Sequence, residues 1–143
     1  MEKYISNSRE ETEKIGALFA ESLKGGEVVA FIGGLGMGKT CFTRGLAKGL
    51  GFEGDVTSPT FALINEYLGG RLNLYHFDMY RIESWEDLYS SGFFEYIEEN
   101  GIVAVEWSEN IENALPENTV RVRIEKGKTE NERIITVEGV EEE

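Results

Sequence analysis

Apolar and polar positions follow two patterns along the chain, one typical of buried strands and one typical of amphipathic helices. Residues 27–32 and 101–107 are short, nearly continuous apolar runs, as expected for strands that are covered on both faces. After the first run, residues 40–50 place apolar side chains at every fourth position, which predicts a helix with one apolar stripe. We therefore predict an α/β protein in which a buried strand leads into a helix.

Two further helices are predicted from the residues that begin them. Residues 8–11 read S-x-x-E and residues 84–87 read S-x-x-D, patterns in which a side-chain oxygen caps the first helical turn. The first of these helices is predicted to end at the glycine pair 25–26. Its predicted apolar face consists of Ile15, Leu18, Phe19 and Leu23.

The remaining segments predict hairpins and short connections. Residues 61–68 and 71–77, separated by two glycines, predict a β-hairpin. Alternation in residues 119–125 and 133–138 predicts a second, peripheral hairpin. The other predicted elements are a strand at 3–6, a short amphipathic stretch at 93–99, a brief helix at 108–115 and a frayed acidic tail at 141–143.

The segment between the first buried strand and its helix carries the strongest chemical signal. Residues 33–40 read G-x-x-x-x-G-K-T, the phosphate-binding Walker A loop, in the strand–loop–helix context which that motif requires. Glycines let backbone N–H groups turn toward phosphate oxygens, and the helix N-terminus adds partial positive charge. In this motif Lys39 reaches the β- and γ-phosphates and Thr40 is a ligand to Mg²⁺. A dinucleotide site has less support, because the glycines read G-x-G-x-G.

Other positions could complete a site for nucleotide hydrolysis. Glu106 ends the second apolar strand, as a Walker B carboxylate does, and is predicted to contact Mg²⁺ directly or through water. Asp78 ends a predicted hairpin strand, where an acid can orient attacking water or hold a metal-bound water. Ser58-Pro59-Thr60 is either a plain turn or a stiff loop that senses the γ-phosphate. His76 is predicted to be a buried structural histidine, since no second histidine or nearby cysteine supports a metal site.

Length and charge narrow the class of protein. The 143 residues predict one domain, and the single cysteine and the lack of a bilayer-spanning run predict a cytoplasmic protein without membrane contact. The formal net charge is −13, and residues 83–117 contain ten acidic residues and no lysine or arginine. Direct high-affinity binding of nucleic acid is therefore not expected. The acidic segment is either a solvated face or a docking face for a basic protein partner.

Several classes of nucleotide-binding protein lack the residues they need. No Asn-Lys-x-Asp element is present to read guanine, and a helicase or motor is expected to be larger. A small-molecule kinase clamps phosphates with basic residues, and the segment where its lid would lie has none. We predict a minimal ATP-binding domain with a three-layer, P-loop NTPase-like fold. Such a fold has a mixed central sheet, helices on both faces and, in this chain, a peripheral C-terminal hairpin.

Four motifs, in this order and spacing, resemble the TsaE (YjeE) family. They are G-M-G-K-T at 36–40, S-P-T at 58–60, H-F-D-M-Y-R at 76–81 and V-E-W at 105–107. The family is the P-loop ATPase component of the bacterial machinery that makes threonylcarbamoyladenosine at position 37 of tRNA. The resemblance extends from about residue 8 to the C-terminal hairpin. The chain departs from the family pattern at Gly34, where aspartate is common, and at Cys41, where threonine is common.

The resemblance implies a role for each matching residue. It places Lys39, Asp78 and Thr60 in catalysis, and Thr40 and Glu106 on Mg²⁺. The residues it implies around ATP are Gly33, Gly36, Met37, Gly38, Lys39, Thr40 and Cys41, with Trp107 beside the site and a looser match at Arg133.

The resemblance also implies a partner and a mode of action. The implied partner is the TsaB–TsaD complex, on which ATP hydrolysis would act as a switch or reset step that is slow without the partner. Two alternatives remain open, a small-molecule P-loop kinase and a nucleotide-binding scaffold that does not hydrolyse ATP. Transfer of phosphate to an acceptor would distinguish the first, and activity retained without Asp78 would distinguish the second.

Overall fold

The protein is described by a computed structural model over residues 2–32, 38–54, 56 and 64–139. Within these residues the chain forms seven strands, four α-helices and one 3₁₀ helix. The elements are β1 Glu2–Ser6, α1 Arg9–Ala20, β2 Val28–Ile32, α2 Lys39–Gly49, β3 Ile64–Tyr67, β4 Leu74–Asp78, α3 Trp85–Ser90, α4 Phe93–Glu98, β5 Ile102–Glu106, the 3₁₀ helix Ser108–Ala114, β6 Val120–Lys126 and β7 Arg133–Glu138.

The strands form one mixed sheet in the order β1-β7-β6-β2-β5-β4-β3. The four central strands β6, β2, β5 and β4 are parallel, whereas β3, β7 and β1 pair antiparallel with their neighbours. The C-terminal hairpin is part of the sheet, because β6 pairs directly with β2. Since parallel strands point the same way, the C-terminal ends of β2, β5 and β4 meet at one edge of the sheet.

Helices α1 and α2 cover one face of the sheet. Phe31 of β2 and Phe42 of α2 are almost fully buried there, with ring centroids 5.7 Å apart in an edge-to-face arrangement. The two helices approach closely because each presents a glycine to the other. A Cβ at Gly16 would lie 2.3 Å from the carbonyl oxygen of Phe42, and one at Gly45 would lie 1.8 Å from that of Glu13.

The short helices α3 and α4 and the 3₁₀ helix cover the opposite face. Phe77 of β4 and Phe93 of α4 are fully buried there and meet edge to face at 5.7 Å. Val103 and Val105 of β5 complete this second core. The sheet therefore has helices on both faces, which confirms the predicted three-layer α/β fold.

The first helix differs from its prediction in its end and in its buried face. It ends at Ala20, before the glycine pair, and the Arg71 guanidinium donates to the carbonyl oxygens of Ala20 and Leu23 at 3.0 and 3.1 Å. The prediction that Leu18 belongs to the buried face is wrong, because this side chain is 53% exposed. The face that meets α2 and the sheet instead carries the buried residues Thr12, Gly16, Phe19 and Ala20.

The predicted strands at 3–6, 119–125 and 133–138 and the helical stretch at 93–99 are found within one residue of their predicted bounds. The predicted hairpin at 61–77 is present as the antiparallel pair β3–β4, but residues 61–63 lie outside the described residues, and the connection spans residues 68–73 instead of two glycines. Both caps are confirmed, since the hydroxyls of Ser8 and Ser84 each accept a backbone N–H at 3.1 Å from the residue three positions later. The brief helix after residue 107 is a 3₁₀ helix. The Ser58-Pro59-Thr60 loop and the acidic tail at 141–143 lie outside the described residues. Among the residues that are described, no helix has the length and apolar character needed to cross a membrane.

Candidate functional site

The candidate site lies at the edge of the sheet where β2 ends and α2 begins. Residues 33–37 of the Walker loop, with Gly33, Gly36 and Met37, lie outside the described residues. Gly38 is the N-cap of α2 and has a φ of 95°, a left-handed conformation that favours glycine. Lys39 follows as the first residue of the helix and is only 6% exposed, so its charge is placed inside the protein.

Two carboxylates reach the same edge from adjacent strands. Glu106 is the last residue of β5 and Asp78 is the last residue of β4, and the two are register partners in the parallel pair. The backbone N–H of Met79 donates to the carbonyl oxygen of Glu106 at 3.0 Å, which ties the two strand ends together. Both acids were predicted to contribute to one site, and the strand register brings them side by side.

Lys39 is enclosed by an acid and an aromatic ring. Its Nζ lies 3.8 Å from Oε1 of Glu106 and 5.7 Å from the ring centroid of Trp107. A buried ammonium group is costly unless it is paired, and both a carboxylate and an indole face stabilise it. Trp107 reaches this position from a left-handed backbone conformation, with φ of 59°. A residue other than glycine rarely adopts this conformation, which indicates that the packing around Trp107 holds it in place.

A buried histidine contacts the second oxygen of Glu106. Nε2 of His76 lies 2.6 Å from Oε2 of Glu106, and the imidazole is 1% exposed. The contact is close, although neither ring nitrogen has a well-aligned hydrogen-bond partner among the described residues. Burial acts to raise the pKa of the Glu106 carboxyl, but contact with His76 and the charge of Lys39 outweigh burial and lower that pKa below its ordinary value. Glu106 is therefore held as a carboxylate.

His76 is the residue that sequence reasoning left out of the site. It was predicted to be a buried structural histidine, and it is buried, but its contact is with a predicted metal ligand. The sequence could have indicated that His76 lies near the site. Side chains two positions apart on a strand point to the same face, and His76 and Asp78 are two positions apart on β4. The register pairs His76 with Ala104 and Asp78 with Glu106, so the histidine lies just below the two acids.

The loop after Asp78 is fixed by three hydrogen bonds and one ring contact. The Tyr80 backbone N–H donates to Oδ1 of Asp78 at 2.9 Å. The side chain of Asn110, on the 3₁₀ helix, donates to the carbonyl oxygens of Met79 and Tyr80 at 2.9 and 3.2 Å. The Tyr80 ring packs on Trp107 with centroids 4.9 Å apart. The loop therefore connects Asp78, the indole beside Lys39 and the 3₁₀ helix.

The other predicted site residues are placed as follows. Thr40 and Cys41 are half-buried in the first turn of α2, directly after Lys39. Thr60 lies outside the described residues. Arg133 begins β7, two strands from β2, and its guanidinium donates to the carbonyl oxygens of Glu130 and Glu132. Neither of these contacts tests the prediction that Arg133 lies beside a nucleotide, so that placement stays a prediction.

These features define a class of protein. It is an α/β protein whose buried lysine and neighbouring strand-end acids lie at the C-terminal edge of the parallel central strands, directly after a segment whose sequence is rich in glycine. The chain matches the family described as "Threonylcarbamoyl adenosine biosynthesis protein TsaE" over residues 6–135. The chain belongs to the TsaE family.

Individual relatives agree with this assignment. A protein of Treponema pallidum called tRNA threonylcarbamoyladenosine biosynthesis protein TsaE is 42% identical over 120 residues, which cover 84% of this chain and 88% of the relative. A Bacillus subtilis protein of the same name is 43% identical over 139 residues, covering 96% and 85%. The crystal structure of Bacillus subtilis YdiB matches with a TM-score of 0.79 and 38% identity, covering 98% of this chain and 86% of that one.

Proposed function

We propose that this chain is the ATP-binding and ATP-hydrolysing component of the tRNA threonylcarbamoyladenosine machinery, and that a TsaB–TsaD complex stimulates its hydrolysis. The observation that carries the proposal is the convergence of Lys39, Glu106 and Asp78 where the G-x-x-x-x-G-K-T segment enters α2. Membership of the TsaE family supports the pathway. The names of the Treponema pallidum and Bacillus subtilis relatives point to the same pathway.

Lys39 and Glu106 are suited to binding a nucleotide with its metal ion. In this role ATP would supply the phosphate to be cleaved and Mg²⁺ would neutralise developing negative charge. Lys39 can exchange its carboxylate partner for phosphate oxygens, which form stronger charge-assisted hydrogen bonds than a pair at 3.8 Å. Glu106, ionised by its neighbours, is then available to a hydrated cation.

The donor set fits a magnesium ion that is only partly held by protein. Glu106 and the Thr40 hydroxyl offer hard oxygen atoms of the kind that Mg²⁺ prefers. Within the described residues, no group of three or more histidine, cysteine, aspartate or glutamate side chains is arranged to hold a metal. This fits an ion that takes its other ligands from water and from nucleotide phosphates, as Mg²⁺ does in nucleotide-hydrolysing sites.

Asp78 is suited to orienting water. One of its oxygens accepts the Tyr80 N–H, which fixes the rotation of the carboxylate. A carboxylate has further acceptor sites, so Asp78 can still accept a hydrogen bond from a water molecule at the edge of the sheet. Its half-buried position beside Glu106 makes this the group we assign to positioning water for hydrolysis.

Phosphate release from ATP in the presence of Mg²⁺ tests the proposal. The chain alone should hydrolyse ATP slowly, and a purified TsaB–TsaD complex should increase the rate. Equal rates with and without the complex would contradict the partner-stimulated part of the proposal. Phosphate transfer to a small-molecule acceptor would identify a kinase, and ATP binding without any phosphate release under either condition would identify a scaffold.

A further inference from the structure

A cluster of exposed aromatic rings lies on α3 and α4, the helices that cover the sheet face opposite α1 and α2. Trp85 is 54% exposed and Tyr89 is 63% exposed. Both rings pack against Phe94, Trp85 in a stacked arrangement at 6.5 Å and Tyr89 at 4.9 Å. Single exposed apolar residues are common, but contiguous apolar rings on a surface mark sites of interaction. Aromatic residues are also enriched where protein interfaces have their strongest contacts.

A cleft opens next to this cluster, between the start of α3 and the 3₁₀ helix. It encloses about 180 Å³, with Ile82 and Trp85 among its lining residues. This volume suits one long side chain of a partner. Glu83, Glu109 and Glu112 are among the residues that line the cleft, and Glu112 forms an ion pair with Arg121.

The charge of this region determines which side chain would enter. All residues from 83 to 117 are described, and they contain ten acidic residues and no lysine or arginine. Glu83 and Glu109 are exposed at the cleft, and its lining residues include three glutamates and no lysine or arginine, although Arg121 pairs with Glu112. A cationic side chain with an apolar stem fits such a cleft, because the stem can pack on Trp85 while the charge meets the carboxylates.

We propose that the α3 surface, formed by Trp85, Tyr89, Phe94 and the adjoining acidic cleft, is the docking site for a basic protein partner. The partner inserts an arginine or lysine side chain between Glu83 and Glu109 and covers the aromatic cluster with apolar side chains. This inference rests on the proposed function, in which the chain acts on a protein complex, and it specifies the surface that binds that complex.

The position of the cleft also connects docking to the nucleotide edge. Asn110 lines the cleft, and its side chain donates to the carbonyl oxygens of Met79 and Tyr80 in the loop after Asp78. The Tyr80 ring packs on Trp107, which in turn lies over Lys39. A side chain entering the cleft therefore touches the element that holds this loop.

The test compares binding of a purified TsaB–TsaD complex to the chain and to surface variants in the presence of ATP and Mg²⁺. Trp85→Ser combined with Tyr89→Ser should weaken binding about tenfold or more, the scale for losing aromatic anchors. Glu83→Lys combined with Glu109→Lys should weaken it similarly, mainly through slower association. Added salt should weaken binding of the unmodified chain more than binding of the charge-reversed variant.

Matched controls come from the opposite side of the molecule. Leu18→Ser removes an equally exposed apolar side chain on α1, and Glu21→Lys reverses an exposed charge at the end of that helix. Both controls should bind within about twofold of the unmodified chain, because surface changes outside an interface have small effects. Unstimulated phosphate release should be unchanged in all four variants, and thermal unfolding should show that each variant is folded.

Each other outcome overturns the proposal in a distinguishable way. If the unmodified chain binds the complex and both α3-surface variants bind equally well, docking occurs elsewhere and the proposed function stands. If the unmodified chain does not bind the complex, the proposed partner and the docking site fail together. If sedimentation shows a dimer of the chain that Trp85→Ser with Tyr89→Ser dissociates, the surface binds a second copy instead.

Discussion

Two regions of the molecule use the same side chains, carboxylates and aromatic rings, in opposite surroundings. At the nucleotide edge, Glu106 is almost buried, and Lys39 and His76 both contact it. On the α3 surface, Glu83 and Trp85 are exposed to solvent. The buried groups at the nucleotide edge stabilise one another in one arrangement, because an unpaired buried charge costs several kcal/mol. The side chains of the α3 surface are solvated and need no such pairing within the chain, so they are available to a partner.

This difference predicts different effects of substitution. Substitutions at the nucleotide edge should reduce ATP binding or hydrolysis and should also change the free energy of unfolding, since the side chains there contact one another. Changes on the α3 surface should impair docking and leave the isolated chain nearly as stable as before.

The largest effect is expected for Lys39→Ala. The substitution removes the ammonium group that would contact the phosphates and leaves Glu106 buried without its lysine partner. ATP binding, measured by calorimetry, should fall below detection. Lys48→Ala is the matched control, because Lys48 lies on the same helix but is exposed and pairs with Glu13. Binding that survives in Lys39→Ala would remove Lys39 from the site.

The next effect is expected for Glu106→Gln, which keeps the shape of the side chain and removes its charge. Phosphate release should fall about a hundredfold or more, the scale for losing one electrostatic contact in a preorganised site. ATP binding should change much less, since Lys39 remains. The exposed Glu117→Gln serves as control for a change of net charge. An equal fall in ATP binding and in hydrolysis would assign Glu106 to holding the nucleotide rather than to the reaction.

Much of this site was predictable because its signals are local in sequence. The apolar run before residue 33 and the apolar stripe of α2 predicted the strand and the helix that hold Lys39. Glu106 was predicted because it follows the second apolar run. Both expectations depend on residues within one element and its neighbour.

What sequence reasoning missed depends on contacts between distant segments. Leu18 matched the helical stripe, but the buried face of α1 is chosen by the close approach of Gly16 to α2. Arg71 binds the end of α1 from about 50 positions away, which no local pattern reveals. The contact of His76 with Glu106 depends on the order of β4 and β5 in the sheet, and a sequence alone does not give strand order.

A smaller effect is expected from pH. The folded protein lowers the pKa of Glu106 below its ordinary value of 4.5, so ionised Glu106 stabilises the folded state. This contribution is fully present above the ordinary value and is lost as pH falls through the lower, folded-state pKa. The free energy of unfolding by urea, measured from pH 7 to pH 3, should differ between the unmodified chain and Glu106→Gln by an amount that shrinks with acidification.

Glu117→Gln removes one negative charge at an exposed position, so the same measurement on this variant shows the effect of a general change of charge. If the difference between the unmodified chain and Glu106→Gln stays constant from pH 7 to pH 3, the folded state does not lower this pKa. The buried cluster would then behave as the exposed carboxylates do, and the contrast between the two regions would lose its electrostatic basis.

The smallest effect is expected for Trp85→Ser, measured as the free energy of unfolding of the chain without any partner. Trp85 makes ring contacts with Tyr89 and Phe94 but is 54% exposed, so its loss should cost about 1 kcal/mol or less. Phe93→Ala, a few residues away on α4, removes a fully buried ring and should cost about 3–5 kcal/mol. Similar costs for the two variants would mean that the aromatic cluster on α3 and α4 is part of the core. Its exposure would then give no reason to expect a partner, whereas a large difference would leave docking as the physical role for these rings.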